Sequence, residues 1–184
     1  MRLYTTLILS SLILFYGCNS KKNKKVIQST DINISTTIQT KQHKSNAYLR
    51  TDDNKSITIS KTTIQTNICN DTSIIILNIF APWSKTSISQ LQILQNLQKQ
   101  YKLCIISIAT DSDSNNLVLK QHQITYPVIF DLQNKDFIDK ISQIINIDKN
   151  FKIPMIIIYK NNNYIDNYQG FMPSEMLEFI IKDK

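Results

Sequence analysis

Residues 47–184 are predicted to form an α/β domain: a three-layer sandwich with a mixed central sheet, helices on both faces and an N-terminal β-hairpin. Near-continuous apolar runs alternate with stretches whose apolar residues recur at helical spacing, as expected of strands buried on both faces and the helices that cover them. The alternation closes with two strands separated by an asparagine turn, then a last helix. That ending requires an antiparallel pair in a sheet otherwise built of strand–helix–strand units.

Each element has its own signal. Tyr48 to Thr51 and Ser56 to Ser60 flank a turn at Asp52-Asp53-Asn54 and give the hairpin. Ile74 to Phe80 is a buried central strand. After Ala81-Pro82-Trp83, residues Ile88, Leu91, Leu94, Leu97 and Tyr101 mark the inner face of a helix, with Gln90, Gln92, Gln95, Gln98 and Lys99 assigned to the opposite face. Leu103 to Ala109 is the next strand, followed by a helical stretch around Asn115 to Gln121 and an extended Pro127 to Phe130. Phe137, Ile138, Ile141, Ile144 and Ile145 form another helical stripe. Met155 to Tyr159 and Tyr164 to Gln169 are the hairpin strands, joined through Asn161-Asn162-Asn163. Pro173-Ser174-Glu175 opens the final helix, proline being tolerated in a first turn.

Residues 1–17 are a separate object. Met1-Arg2 precedes an apolar run from Leu3 through Phe15, too short to span a bilayer comfortably, and the pattern is that of an export signal. The end of the run, Phe15-Tyr16-Gly17-Cys18, resembles the bacterial lipobox, with Phe15 and Tyr16 departing from its usual residues. That resemblance implies a lipidated Cys18 as the mature N-terminus; a cleaved secretory signal and an uncleaved anchor are the alternatives. Residues 18–46 are then a lysine-rich tether without apolar periodicity. The whole chain carries +7, of which Arg2 and the tether (six lysines, Asp31) account for all but +1. The domain is therefore no basic nucleic-acid binder. The lysines at 21, 22, 24 and 25 suit anionic headgroups, or are a plain solvated spacer.

The chain holds two glycines, Gly17 and Gly170. No glycine-rich phosphate loop exists, which excludes Walker and dinucleotide motifs, and no cofactor is expected. Asn and Asp take the place of glycine at turns. Asp111-Ser-Asp113-Ser-Asn115 has the alternate oxygens of a calcium loop but lacks its glycine and its terminal glutamate, so no metal is expected.

The order of elements and four segments resemble the thioredoxin superfamily, in particular its membrane-tethered TlpA/ResA/CcmG-like branch. The hairpin Leu49 to Ser60 resembles that branch's N-terminal extension. Leu77-Asn78-Ile79-Phe80-Ala81-Pro82-Trp83 is similar to the strand that enters its active-site loop, and Tyr126 to Asp131 to the segment after its second helix. Ile153-Pro154 stands where the family has a cis-proline. The family's redox motif is Trp-Cys-x-x-Cys; here it is Trp83-Ser84-Lys85-Thr86-Ser87.

That replacement decides the expected chemistry. Disulfide exchange needs a thiolate to attack and a second thiol to resolve the mixed disulfide. A helix N-terminus stabilises an anion by about 1 kcal/mol, under one pKa unit, far too little to ionise a serine hydroxyl. Ser84 also lacks an evident base, because the only histidines are His43 in the tether and His122 late in the second domain helix. Its expected role is to cap the helix. The spacing Pro82, Thr86, Ser89 echoes a peroxiredoxin pattern, again with serine for the reactive cysteine. Catalytic residues are thus expected to be none.

Cys69 precedes the first central strand and Cys104 begins the next, so both are expected at the end of the sheet opposite Trp83. They are two small buried residues or, alternatively, a structural disulfide in an oxidising compartment; a catalytic pair is the remaining reading.

The resemblance implies a groove in which the backbone beside the cis-proline pairs with an extended peptide, with Trp83 alongside. The expected function is a redox-inactive, membrane-anchored lipoprotein that binds polypeptide or a partner protein through Trp83, Ile153 and Pro154. A TlpA-like oxidoreductase using non-standard cysteines, and a structural component of an envelope complex, are the alternatives. The expected location is the bacterial cell envelope, facing the periplasm. Asn19 after Cys18 leans the choice of membrane to the outer one.

Overall fold

The computed structural model describes residues 46–111, 117–131 and 133–183, all of which fall in the unit Lys41–Lys184. The expected signal, the lipidation site Cys18 and the tether to residue 45 lie outside the described residues, as do positions 112–116 of the calcium-like loop. No helix among the described residues is long and apolar enough to cross a membrane.

The described residues form two sheets. The first is antiparallel, in the order β1 (Ala47–Arg50), β2 (Ser56–Ile59), β3 (Ile64–Thr66). The hairpin of the sequence is its first two strands. The third was not expected, because three residues with one inward-facing Ile64 carry too little alternation to register as a strand. Pairing Ile57 with Thr66 and Ile59 with Ile64 places the isoleucines of β2 and β3 on one buried face.

The central sheet runs β6-β5-β4-β7-β8. Its strands are β4 (Ile74–Phe80), β5 (Cys104–Ala109), β6 (Val128–Ile129), β7 (Met155–Lys160) and β8 (Asn163–Gln169). The β4–β5 and β5–β6 pairs are parallel; β4–β7 and β7–β8 are antiparallel. The helices are α1 (Lys85–Gln100), α2 (Leu117–Gln121), α3 (Asn134–Ile144) and α4 (Ser174–Asp183). β4 and β5 are buried almost throughout, as their unbroken apolar sequences require.

The pleat sorts the strands' side chains into two cores. Ile75, Leu77 and Ile79 face the three-stranded sheet and Phe137 and Ile141 of α3. Ile76 and Phe80 face Leu91 and Leu94 of α1 and Leu177 and Ile180 of α4. Each fully buried leucine of α1 contributes about 1.5–3 kcal/mol.

The face of α1 departs from the expectation at two positions. Gln90 and Gln95 are buried, not solvent-facing. A glutamine can enter an apolar interface when a backbone group satisfies it. Gln90 Oε1 accepts from Met172 N at 2.8 Å, while Gln95 accepts from Thr125 N and donates to its hydroxyl, each at 2.9 Å. Turns follow the expected chemistry: Asn161 and Asn162 both have positive φ, 51° and 64°, as a two-residue hairpin turn demands, and Asn54 sits at 62°.

Candidate functional site

The carboxyl end of β4 leads directly into the candidate site. Ala81 and Pro82 are buried, whereas Trp83 is 79% exposed. Ser84 N donates to Ala81 O at 3.0 Å, closing a tight turn, and Ile88 N donates to Ser84 O to start α1. Ser84 is extended (φ −92°, ψ 120°), and its hydroxyl accepts from Ser87 N at 3.4 Å, the geometry of an N-cap. Ser87 is fully buried, and its hydroxyl accepts from Ala81 N at 3.2 Å. Both hydroxyls of the motif therefore serve backbone N–H groups of the strand-to-helix junction.

Sheet order brings a second segment beside this loop. The β4–β7 register ends with Ile79 opposite Met155, so continuing it sets Ala81 level with Ile153. The Ile153–Pro154 peptide is cis, with Pro154 buried and Ile153 half-buried. Pro154 O accepts from Gly170 N at 2.7 Å, and Lys152 N donates to Gln169 Oε1 at 3.1 Å. The N–H and C=O of Ile153, between those two, have no partner among the described residues. Because β7 lies between β4 and β8, Ile153-Pro154 has the Trp83 loop on one flank and Gly170-Phe171 on the other. Gly170 takes φ 86°, and Phe171 after it is 45% exposed. Sequence reasoning missed Phe171, since nothing but strand order places it beside a proline seventeen residues earlier.

Beneath the loop the polar groups are neutral. Asn78 Nδ2 donates to Ser107 Oγ at 2.9 Å, Ser107 Oγ to Tyr126 OH at 3.3 Å, and Tyr126 OH to Leu91 O at 3.4 Å. Burial pushes the Tyr126 phenol well above its ordinary value, against a smaller opposing effect of the Ser107 hydrogen bond. Apart from the phenols of Tyr126 and Tyr159, the buried polar side chains among the described residues are Asn, Gln or Ser, with no carboxylate and no imidazole. His122 Nδ1 lies 2.9 Å from Gln92 Nε2. Gln92 is about 12 Å along α1 from Ser84 at 1.5 Å per residue. Among the described residues no base is hydrogen-bonded to Ser84 or Ser87, whose hydroxyls accept from backbone N–H groups instead.

At the other end of the sheet, Cys69 and Cys104 are joined in a disulfide with Cα atoms 5.8 Å apart. Cys104 stands opposite Ile75 at the start of the parallel pair, the end away from Trp83. Cys104 is buried and Cys69 half-buried, beside a cleft of about 460 Å³ lined also by Thr66, Asp71, Asn161 and Asn162. Among the described residues no group of His, Cys, Asp and Glu is arranged to hold a metal.

No family model matches this sequence, and no curated protein does. Solved structures do match. A thioredoxin-family thiol:disulfide interchange protein from Chlorobium tepidum TLS superposes with a TM-score of 0.56 at 18% identity, over 75% of this chain and 92% of its own. A DsbF homologue from Corynebacterium diphtheriae gives 0.53 at 14% identity, over 75% and 93%. A putative thiol:disulfide interchange protein DsbE from Chlorobium tepidum gives 0.52 at 16%, over 75% and 92%. The chain has a thioredoxin-like fold, its mixed five-stranded sheet supplemented by the separate three-stranded one.

Proposed function

We propose that this is a redox-inactive thioredoxin-like module that captures extended polypeptide in the groove formed by Trp83, Ile153 and Pro154. The observation that carries it is the pair of unpartnered backbone groups on Ile153 beside the exposed Trp83 ring. A free N–H and C=O at a sheet end are what an added strand uses. Hydroxyls at both motif positions, already engaged with backbone, support binding without thiol chemistry.

The module is held at the cell envelope through a lipid on Cys18, with residues 19–46 as its leash. The lipobox-like sequence supports this, and a disulfide between Cys69 and Cys104 suits an oxidising compartment.

One observation favours a second reading, a thiol–disulfide oxidoreductase working from the opposite end: Cys69 is half-buried beside an open cleft. The two readings separate in one experiment on the full chain in detergent. Titration with a carboxymethylated, unfolded polypeptide should shift the NMR signals of the Trp83 indole and the Ile153 amide, while disulfide reduction stays at the uncatalysed rate. Absent shifts would overturn the groove. Turnover that vanishes in Cys104→Ala would install the second reading in its place.

A further inference from the structure

Three features of the groove narrow what it accepts. The first is its pair of aromatic flanks. Trp83 follows β4 and Phe171 follows β8, with the Ile153-Pro154 segment between them. Both rings stay substantially in water, at 79% and 45% exposure. Two exposed aromatics flanking a backbone-pairing segment offer apolar surface that a large apolar side chain of a bound peptide would cover.

The second feature is backbone shape. With Pro154 O already bonded to Gly170 N, and Lys152 N to the Gln169 side chain, Ile153 is the residue of this segment that offers both an N–H and a C=O without a partner among the described residues. A partner residue that pairs with Ile153 must itself be extended, and its side chain is the one held at the level of the rings.

The third is charge. Lys85 lies two residues after Trp83, and Lys152 immediately precedes Ile153; both are exposed. Neither has an ion-pair partner among the described residues. The carboxylates nearest by topology are Glu175 in the first turn of α4, four residues past Phe171, and Asp111 after β5, which the register sets level with Pro82 on the side of β4 away from β7. Lys152 is thus the charged residue next to Ile153 in the pairing segment itself, and Lys85 the one that follows the Trp83 loop.

We infer that the groove selects an extended acidic segment: a large apolar side chain gripped between Trp83 and Phe171, with carboxylates on neighbouring residues meeting Lys85 and Lys152. This rests on the peptide-capturing reading above and names its ligand class.

The test uses the full chain in detergent and three blocked heptapeptides. These are Gly-Asp-Thr-Phe-Thr-Asp-Gly, the same peptide with Lys for both Asp, and the same peptide with Ala for Phe. Affinities come from NMR titration at low salt. The acidic Phe peptide should bind about fivefold tighter than its lysine counterpart, the sum expected of two exposed ion pairs. That ratio should shrink toward one as salt is raised, because exposed charges are screened within about 10 Å at 0.1 M. The double variant Lys85→Ala/Lys152→Ala should lose the ratio yet still bind the Phe peptides. Phe171→Ala should weaken both Phe peptides by about fivefold and keep the ratio. Equal or tighter binding of the lysine peptide would overturn the acidic preference and leave the groove standing. If none of the peptides moved the Trp83 and Ile153 signals, the groove itself would fall.

Discussion

Ser84 and Ser87 carry the same functional group in different surroundings, half-exposed at a helix tip and fully buried behind it. Both act as acceptors for backbone N–H groups at the strand-to-helix junction. Among residues whose ionisation does matter, Tyr126 and Tyr159 stand out, since burial raises both phenols far above the ordinary value of about 10. A buried phenol favours its neutral form, so the unfolded chain loses these protons first as pH climbs. Stability from this source is complete below pH of about 10 and declines above it. The two tyrosinates should appear in ultraviolet absorbance only together with loss of circular dichroism, and Tyr126→Phe should soften the alkaline transition. Legibility at this scale was uneven. The motif serines were visible at once because a family pattern frames them. The burial of Gln90 and Gln95 was not, because their partners, Met172 N and Thr125 N, come from distant segments.

Elements were read well where each carried its own pattern. β4, β7 and β8 appear at or within one residue of their expected ends, since long apolar runs and an asparagine turn are local signals. β3 was missed because its identity depends on pairing with β2 and touching β8, through Thr63 opposite Asn163. With β2 and β3 known, a likeness emerges earlier in the chain. Ile32-Asn-Ile-Ser-Thr-Thr-Ile-Gln-Thr40 matches Ile57 to Thr66 except for Asn33 in place of Thr58 and the lack of a counterpart to Lys61. The lysines of 19–46 hide this similarity, and residues 32–40 lie outside the described ones. A hydrogen bond from Met172 N to Gln90 Oε1 ties α1 to the segment just after β8. Gln90→Leu keeps the bulk but orphans that buried N–H, and should cost about 1–3 kcal/mol in urea denaturation. A loss near zero would mean the 170–172 segment is held by packing alone.

At the scale of the molecule, the two ends of the central sheet are built differently. One presents the Trp83 loop and the cis-proline; the other is fastened by Cys69–Cys104, a link spanning 35 residues of sequence. That span includes all of β4 and α1, so the bond restrains the elements that set the groove's position. Cys104→Ala should lower stability by about 2–4 kcal/mol, read from the urea midpoint under non-reducing conditions. Peptide binding to the remaining folded protein should be unchanged. Cysteine spacing alone left the pairing undecided, because it depends on how close the β3–β4 connection comes to the start of β5.

The exposure of Trp83 has one more consequence. It is the chain's sole tryptophan, and its ring is hydrated before any denaturant is added. Its fluorescence has little further to redden when the protein unfolds, so emission is a poor gauge of folding. A ligand that covers the indole changes its solvent, and the resulting blue shift reports occupancy.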